Sequence, residues 1–186
     1  MIGGEAKEET SMHDPRYPIG GFDKPATIDA GLRDTYTQQI HAAPAALRAA
    51  VEGLDEQQLQ TPYREGGWNP RQVVHHLADS HMNAYIRFKL ALTEKEPTIK
   101  PYDEAAWAEL ADAHDGEIRQ SLDLLENLHG RWTACIRSLP EEAFERRLRH
   151  PENGMFRLDQ LLALYAWHGR HHTAQITSLR DRMGWR

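Results

Sequence analysis

Apolar residues recur every three or four positions in four long stretches of this chain, the spacing that turns one side of an α-helix toward a core. The first stretch runs from about Ile28 to Leu54, with Ile40, Leu47 and Val51 in register, and Pro44 inside it predicts a kink or a break. The second has a clear start. Asn69 is an N-cap residue, and Pro70 suits the first helical position, where a backbone N–H would lack an intrahelical acceptor. It continues through Val73, Val74, Leu77, His81, Tyr85, Phe88 and Leu92 and stops before Pro97. A third runs from about Gly116 to Ser138, with Ile118, Leu122, Leu125, Leu128, Trp132 and Ile136 in register, and a fourth from about Asp159 to Met183.

The segments between these helices carry turn chemistry. Thr61 to Trp68 contains Pro62, Gly66 and Gly67 and reads as a loop that Trp68 pins to the bundle. Glu94 to Asp115 is a long connection broken by Pro97 and Pro101, with a short helix expected over Asp103 to Leu110. Leu139-Pro140-Glu141-Glu142 begins another short turn. Between Arg146 and Arg157, the Asn153-Gly154 pair predicts a small β-hairpin before the last helix. Four long helices joined by one or two longer connections predict an all-α protein, a four-helix bundle.

At 186 residues the chain suits a single bundle domain over residues 17–186, preceded by a polar tail, residues 1–16, with no signal-peptide apolar core. A net charge of −6 without a basic block argues against nucleic acid as a partner. No apolar run approaches the roughly 20 residues that span a bilayer, so no membrane partner is expected. Cys135 is the single cysteine and lies in a helical pattern, where a buried inert thiol is the simplest reading. A disulfide within the chain is impossible, which fits a reducing cytoplasm.

The candidate chemistry is carried by histidine. His168 and His172 are four residues apart and, on a helix, separated by only about 40° of rotation. Leu161, Leu164, Tyr165, Ile176, Leu179 and Met183 share that side, so both imidazoles fall in the inward seam. A metal ion is the simplest reason for a pair of histidines there. Further candidates lie on the second helix. His75 points toward Ala78, Met82 and Ile86, and His76 toward Asp79, Ser80, Asn83 and Arg87. His81 shares the Val74, Leu77, Tyr85 and Phe88 face, as a core or pocket-edge residue outside the ligand set. Helix geometry alone leaves His75 and His76 undecided.

The stretch Gly66-Gly67-Trp68-Asn69-Pro70-Arg71-Gln72-Val73-Val74-His75-His76-Leu77-Ala78-Asp79-Ser80-His81-Met82 resembles the DinB-like metalloprotein superfamily, in its YfiT branch. So do Tyr17-Pro18-Ile19-Gly20, Pro101-Tyr102-Asp103-Glu104, Leu128-His129-Gly130-Arg131-Trp132 and Arg182-Met183-Gly184-Trp185, so the resemblance covers about Tyr17 to the end. It implies a four-helix bundle carrying one divalent metal ion per subunit, zinc or nickel, on three histidines. The family's upstream ligand directly precedes Leu-Ala, which maps to His76; the other two map to His168 and His172. A homodimer is also implied, with Trp107 and Trp185 as contributors, although Trp185 can equally pack on its own bundle.

The activity implied is that of a metal-dependent hydrolase acting on a small-molecule substrate. A close second is transfer of a thiol cosubstrate, bacillithiol or mycothiol in relatives, to an electrophile; a third is a metal-binding stress protein without turnover. Three protein ligands leave a coordination position open, the catalytic arrangement of zinc, and an open metal can activate water or a thiol. The glutamate that follows the first histidine of zinc-protease helices is replaced by Gly169, which disfavours a peptidase of that type. Candidate proton carriers are Asp79, His75, His171 and Glu104, and Arg71, Arg87 and Arg170 are available to hold an anion. The tail has few apolar residues with which to offset its ordering entropy. Removal of Met1 to Arg16 is therefore expected to leave the thermal midpoint nearly unchanged in a melting experiment.

Overall fold

The computed structural model describes residues 14–185. Four long helices form the bundle: α1 (Ala30–Val51), α3 (Pro70–Thr93), α6 (Ile118–Arg137) and α7 (Leu158–Met183). Short helices α2 (Glu56–Leu59), α4 (Glu104–Ala108) and α5 (Ala111–His114) sit in the connections, and a 3-10 turn spans Glu141–Glu145. α1 and α3 each pack against both α6 and α7, so the first two long helices occupy opposite corners of the bundle. None of the described helices is long and apolar enough to cross a membrane.

α3 starts where its sequence demands. The Asn69 side chain accepts from the Gln72 N–H at 2.9 Å, and the Gln72 side-chain oxygen accepts from the Asn69 N–H at 3.2 Å. This reciprocal capping box, with Pro70 at the first turn, fixes the helix two turns before His76. At the other end of the bundle, α7 closes on Gly184, whose φ of +66° suits a residue without Cβ, and Trp185 folds back, half-buried, onto the core. α1 runs continuously through Pro44, so of the expected kink or break the break does not occur.

The expected hairpin is present. Strands β1 (Arg147–His150) and β2 (Gly154–Arg157) pair antiparallel, Arg147 opposite Arg157 and His150 opposite Gly154. Three residues, 151–153, join them, and Gly154 takes a φ of +75°. The proline-broken connection docks on this hairpin. Ile99 N–H donates to Arg149 O at 3.0 Å, and Arg149 N–H donates to Pro97 O at 2.9 Å. Together they wall off one end of the bundle.

The core is divided in two. One half holds Ile40, Phe88, Trp132, Leu158 and Leu162; the other holds Leu47, Val73, Val74, Leu122 and Ile176. Between them along α3, α6 and α7 lie His81, His129 and the His168–His172 turn. A layer of imidazoles thus lies between the two apolar halves of the core. Of the expected tail, residues 1–13 lie outside the described residues, while the Arg16 carbonyl accepts from Gln175 at 3.3 Å. Replacement of Asn69 by Ala should cost about 0.5–2 kcal/mol by loss of the cap, read as a lower urea midpoint with an unchanged slope.

Candidate metal centre

α3 and α7 bring three histidines together. One ring nitrogen from each of His76, His168 and His172 lies within 4.8 Å of the others. The Nε2 atoms of His76 and His168 are 3.4 Å apart. Nitrogen–metal bonds of about 2.0–2.1 Å in a tetrahedron place their nitrogens about 3.3 Å from one another, so this separation matches a shared ion. His172 Nδ1 lies 2.8 Å from Gln175 Oε1, an oxygen that can only accept. That bond puts the proton on Nδ1 and leaves Nε2 bare. Trp68 covers the group, its ring centroid 4.5 Å from that of His76 and stacked on His172 at 6.1 Å.

Burial keeps these rings neutral. Desolvation lowers His76 to about 4 and holds His168 and His172 well below the ordinary imidazole range. A neutral imidazole is the form that ligates a metal. Gly169, between the pair, has a packing reason: a Cβ there would stand 3.2 Å from Ala43 Cβ and 3.5 Å from His81 Cε1.

The other sequence candidates separate cleanly. His75 is engaged by Ser121 Oγ at 2.8 Å and Gly116 O at 3.1 Å, so both its nitrogens serve the packing of the α5–α6 corner. Arg71 is bound to Glu56 and to Gly116 O. Asp79 is half-buried and stands outside the histidine group. His171 contacts Gln175 and stacks on Trp167 at 4.4 Å. Arg170 is exposed.

Arg87 and Glu104 line a cavity that His168 also lines. It measures about 180 Å³, and Ser80 and Tyr165 are also in its wall. It shares Arg87, Glu104, His150 and Asn153 with a wider outer concavity of about 390 Å³. Arg87 donates to Tyr165 Oη at 3.0 Å and to Lys100 O at 3.3 Å, which leaves further N–H groups for the cavity. Glu104, exposed along much of its length, has a carboxyl raised by desolvation and lowered in part by Arg87. A larger concavity of about 650 Å³ lies between α1 and α6 and touches none of the three clustered histidines.

Sequence reasoning missed one residue and under-read another. His129 of α6 is fully buried and bonds to His81 at 2.8 Å; His81 in turn lies 3.2 Å from His168 Nδ1. His81 is not one of the group of three, yet it touches one of them. The signal for His129 was its position in the inward register of Leu125, Trp132 and Ile136.

A four-helix bundle with convergent, neutral imidazoles in its core is the frame of a bundle metalloprotein. The family profile described as the DinB superfamily matches residues 39–176. A Bacillus cereus (strain 03BB102) protein named "Putative metal-dependent hydrolase" is 55% identical over 174 residues, 94% of this chain and 100% of its own. A protein of the same name from Bacillus anthracis (strain A0248) matches over the same lengths, also at 55% identity. Among solved structures, YfiT from Bacillus subtilis superposes with a TM-score of 0.91 at 51% identity, covering 92% of this chain and 99% of that one. It is described as a probable metal-dependent hydrolase with an unusual four-helix bundle topology. TT2238, a four-helix bundle protein, shares the fold at a TM-score of 0.54 and 21% identity, over 80% of this chain and 98% of that one. The chain belongs to the DinB superfamily, in its YfiT branch.

The buried histidines should make the metal-free protein less stable in acid. Desolvation takes His76 and His129 from 6.5 to about 4 in the folded state. Between those values the unfolded chain binds more protons than the folded one, so stability falls as pH falls. Thermal midpoints of metal-free protein should be level above pH 6.5 and decline steadily toward pH 4; a flat profile would show that these rings are not held neutral.

Proposed function

We propose that this protein is a metal-dependent hydrolase of a small molecule, using one divalent ion, zinc or nickel, held by His76, His168 and His172. The observation that carries this reading is the convergence of three neutral ring nitrogens beside a cavity that reaches His168. When bound, the ion would supply Lewis acidity and activation of water at its open position. The chain's own residues do the rest. Trp68 shields the ligand rings from solvent. Arg87, braced by Tyr165 and Lys100, orients an anionic group of the substrate. Glu104 is the carboxyl placed in the cavity wall to pass a proton to a leaving atom.

One observation favours the thiol-transfer reading. Position 169 is glycine, closed in by Ala43 and His81, so the glutamate base of zinc-protease helices has no counterpart at that position. A thiol ionises more readily than water and needs less help from a base. The cavity itself favours either enzyme over a non-catalytic metal store.

Elemental analysis of purified protein should find near one metal ion per chain, with a large loss in His168→Ala. Equal metal in both would remove the assignment. The metal-loaded protein should hydrolyse an activated ester without added thiol, with the rate rising as pH increases through about 7. Conjugation that requires the thiol, with no background hydrolysis, would replace the hydrolase reading with transfer. Metal occupancy is measured at every pH, because acid also protonates the ligands and releases the ion.

A further inference from the structure

Pro44 has a consequence beyond α1. In an unbroken helix the carbonyl of Ile40 would accept the N–H of residue 44, and proline has none. Ile40 is fully buried, so water cannot fill the vacancy. The partner is instead His129 of α6, whose Nδ1 lies 2.5 Å from Ile40 O. A single proline thus opens a backbone acceptor in the middle of the bundle, facing another helix.

That acceptor sets a chain of protons. A carbonyl oxygen only accepts, so His129 Nδ1 carries the hydrogen. In the neutral ring its Nε2 is then bare and accepts from His81 Nδ1–H at 2.8 Å. His81 Nε2 is bare in turn and accepts from His168 Nδ1–H at 3.2 Å. His168 is left with a bare Nε2, the atom that lies 3.4 Å from His76 Nε2. Each step follows from the one before, because a neutral imidazole has one hydrogen and one lone pair. The rings of His81 and His129 are buried among other aromatic side chains. They lie edge to edge, with centroids 4.9 Å apart and planes within 10°, as an in-plane hydrogen bond requires, and Trp132 stands edge-on to both at 6.0 and 5.8 Å. Burial of all three rings keeps them neutral, with His129 lowered to about 4.

We propose that Pro44, His129 and His81 are positioning residues of the metal centre: a relay, anchored on the Ile40 carbonyl, that locks His168 in the Nδ1–H tautomer with Nε2 turned to the ion. The proposal rests on the metal-centre reading above. The relay is a lock and not a proton path. It ends on a buried carbonyl that neither releases nor takes up a proton. Partners of ligand imidazoles are commonly a carboxylate, a carbonyl or water. Here the carbonyl is reached through two further histidines, because the available acceptor belongs to α1.

The test reads tautomers and affinity separately. In nitrogen-15 spectra of histidine-labelled, metal-free protein near pH 7.5, His129, His81 and His168 should all be protonated on Nδ1. An Nε2–H His168 would overturn the lock, whether or not metal binds. Zinc affinity, measured by competition with a chromophoric chelator, should fall by about 10–100-fold in His129→Leu. His129→Gln should recover much of that loss, because its amide oxygen again accepts from His81. Pro44→Ala should lower affinity in the same direction, since the backbone N–H restored at that position would compete for Ile40 O. Affinity within twofold of wild type in both His129→Leu and Pro44→Ala would overturn the proposal. Should His129→Leu not fold by circular dichroism, Pro44→Ala and the wild-type tautomers decide it. If wild-type protein takes up no zinc or nickel, the metal-centre reading fails, while the spectra still report whether the relay holds His168.

Discussion

The cost of placing imidazoles in an apolar core governs this structure. His81 and His129 are fully buried, and His76, His168 and His172 are largely so, in a layer that parts the hydrophobic core into two halves. A buried polar group without a partner costs on the order of 1–3 kcal/mol, so a layer of five must be satisfied as a set. Gln175, the Ile40 carbonyl and neighbouring imidazoles supply partners for His172, His129, His81 and His168, and the bare Nε2 of His168 faces Nε2 of His76 where an ion would sit.

The helices around this layer serve its geometry. The Asn69 capping box sets the start of α3 and therefore the height of His76. Gly169 lets α7 lie close to Ala43 of α1 and to the His81 ring. The β1–β2 hairpin and the docked connection from Pro97 to Glu104 close the neighbouring end while leaving the cavity with Arg87 and Glu104 on its wall. Local elements with ordinary propensities are thus arranged around an unusual interior, and the cavity meets that interior only at His168.

Much of this was legible before the fold. The four helices follow from apolar period, and their ends lie within a few residues of the caps and breakers that mark them. The hairpin followed from Asn153-Gly154, and the inward placing of His168 and His172 from their spacing. His76 was reached through family resemblance, because helix geometry leaves it level with His75; in the fold His76 joins His168 and His172 while His75 bonds to Ser121 and Gly116. Pro44 by itself predicts a kink or a break in α1, and the helix is continuous through it. A proline removes one helical bond locally, and whether the helix survives depends on what takes up the carbonyl it frees.

The sequence by itself determined the helices, the apolar faces and which residue types stand in the seam, because those depend on neighbours three or four positions away. Only the tertiary structure decided which histidines meet, which arginine faces a cavity and where the carbonyl of Ile40 finds its hydrogen. Those pairings join α1, α3, α6 and α7 across 48 to 92 positions of chain. Helical periodicity says which way a side chain points but not what the facing helix offers at that height. Rotation and register between helices are set by packing the whole bundle at once, and the chemistry of the histidine layer exists only at that level.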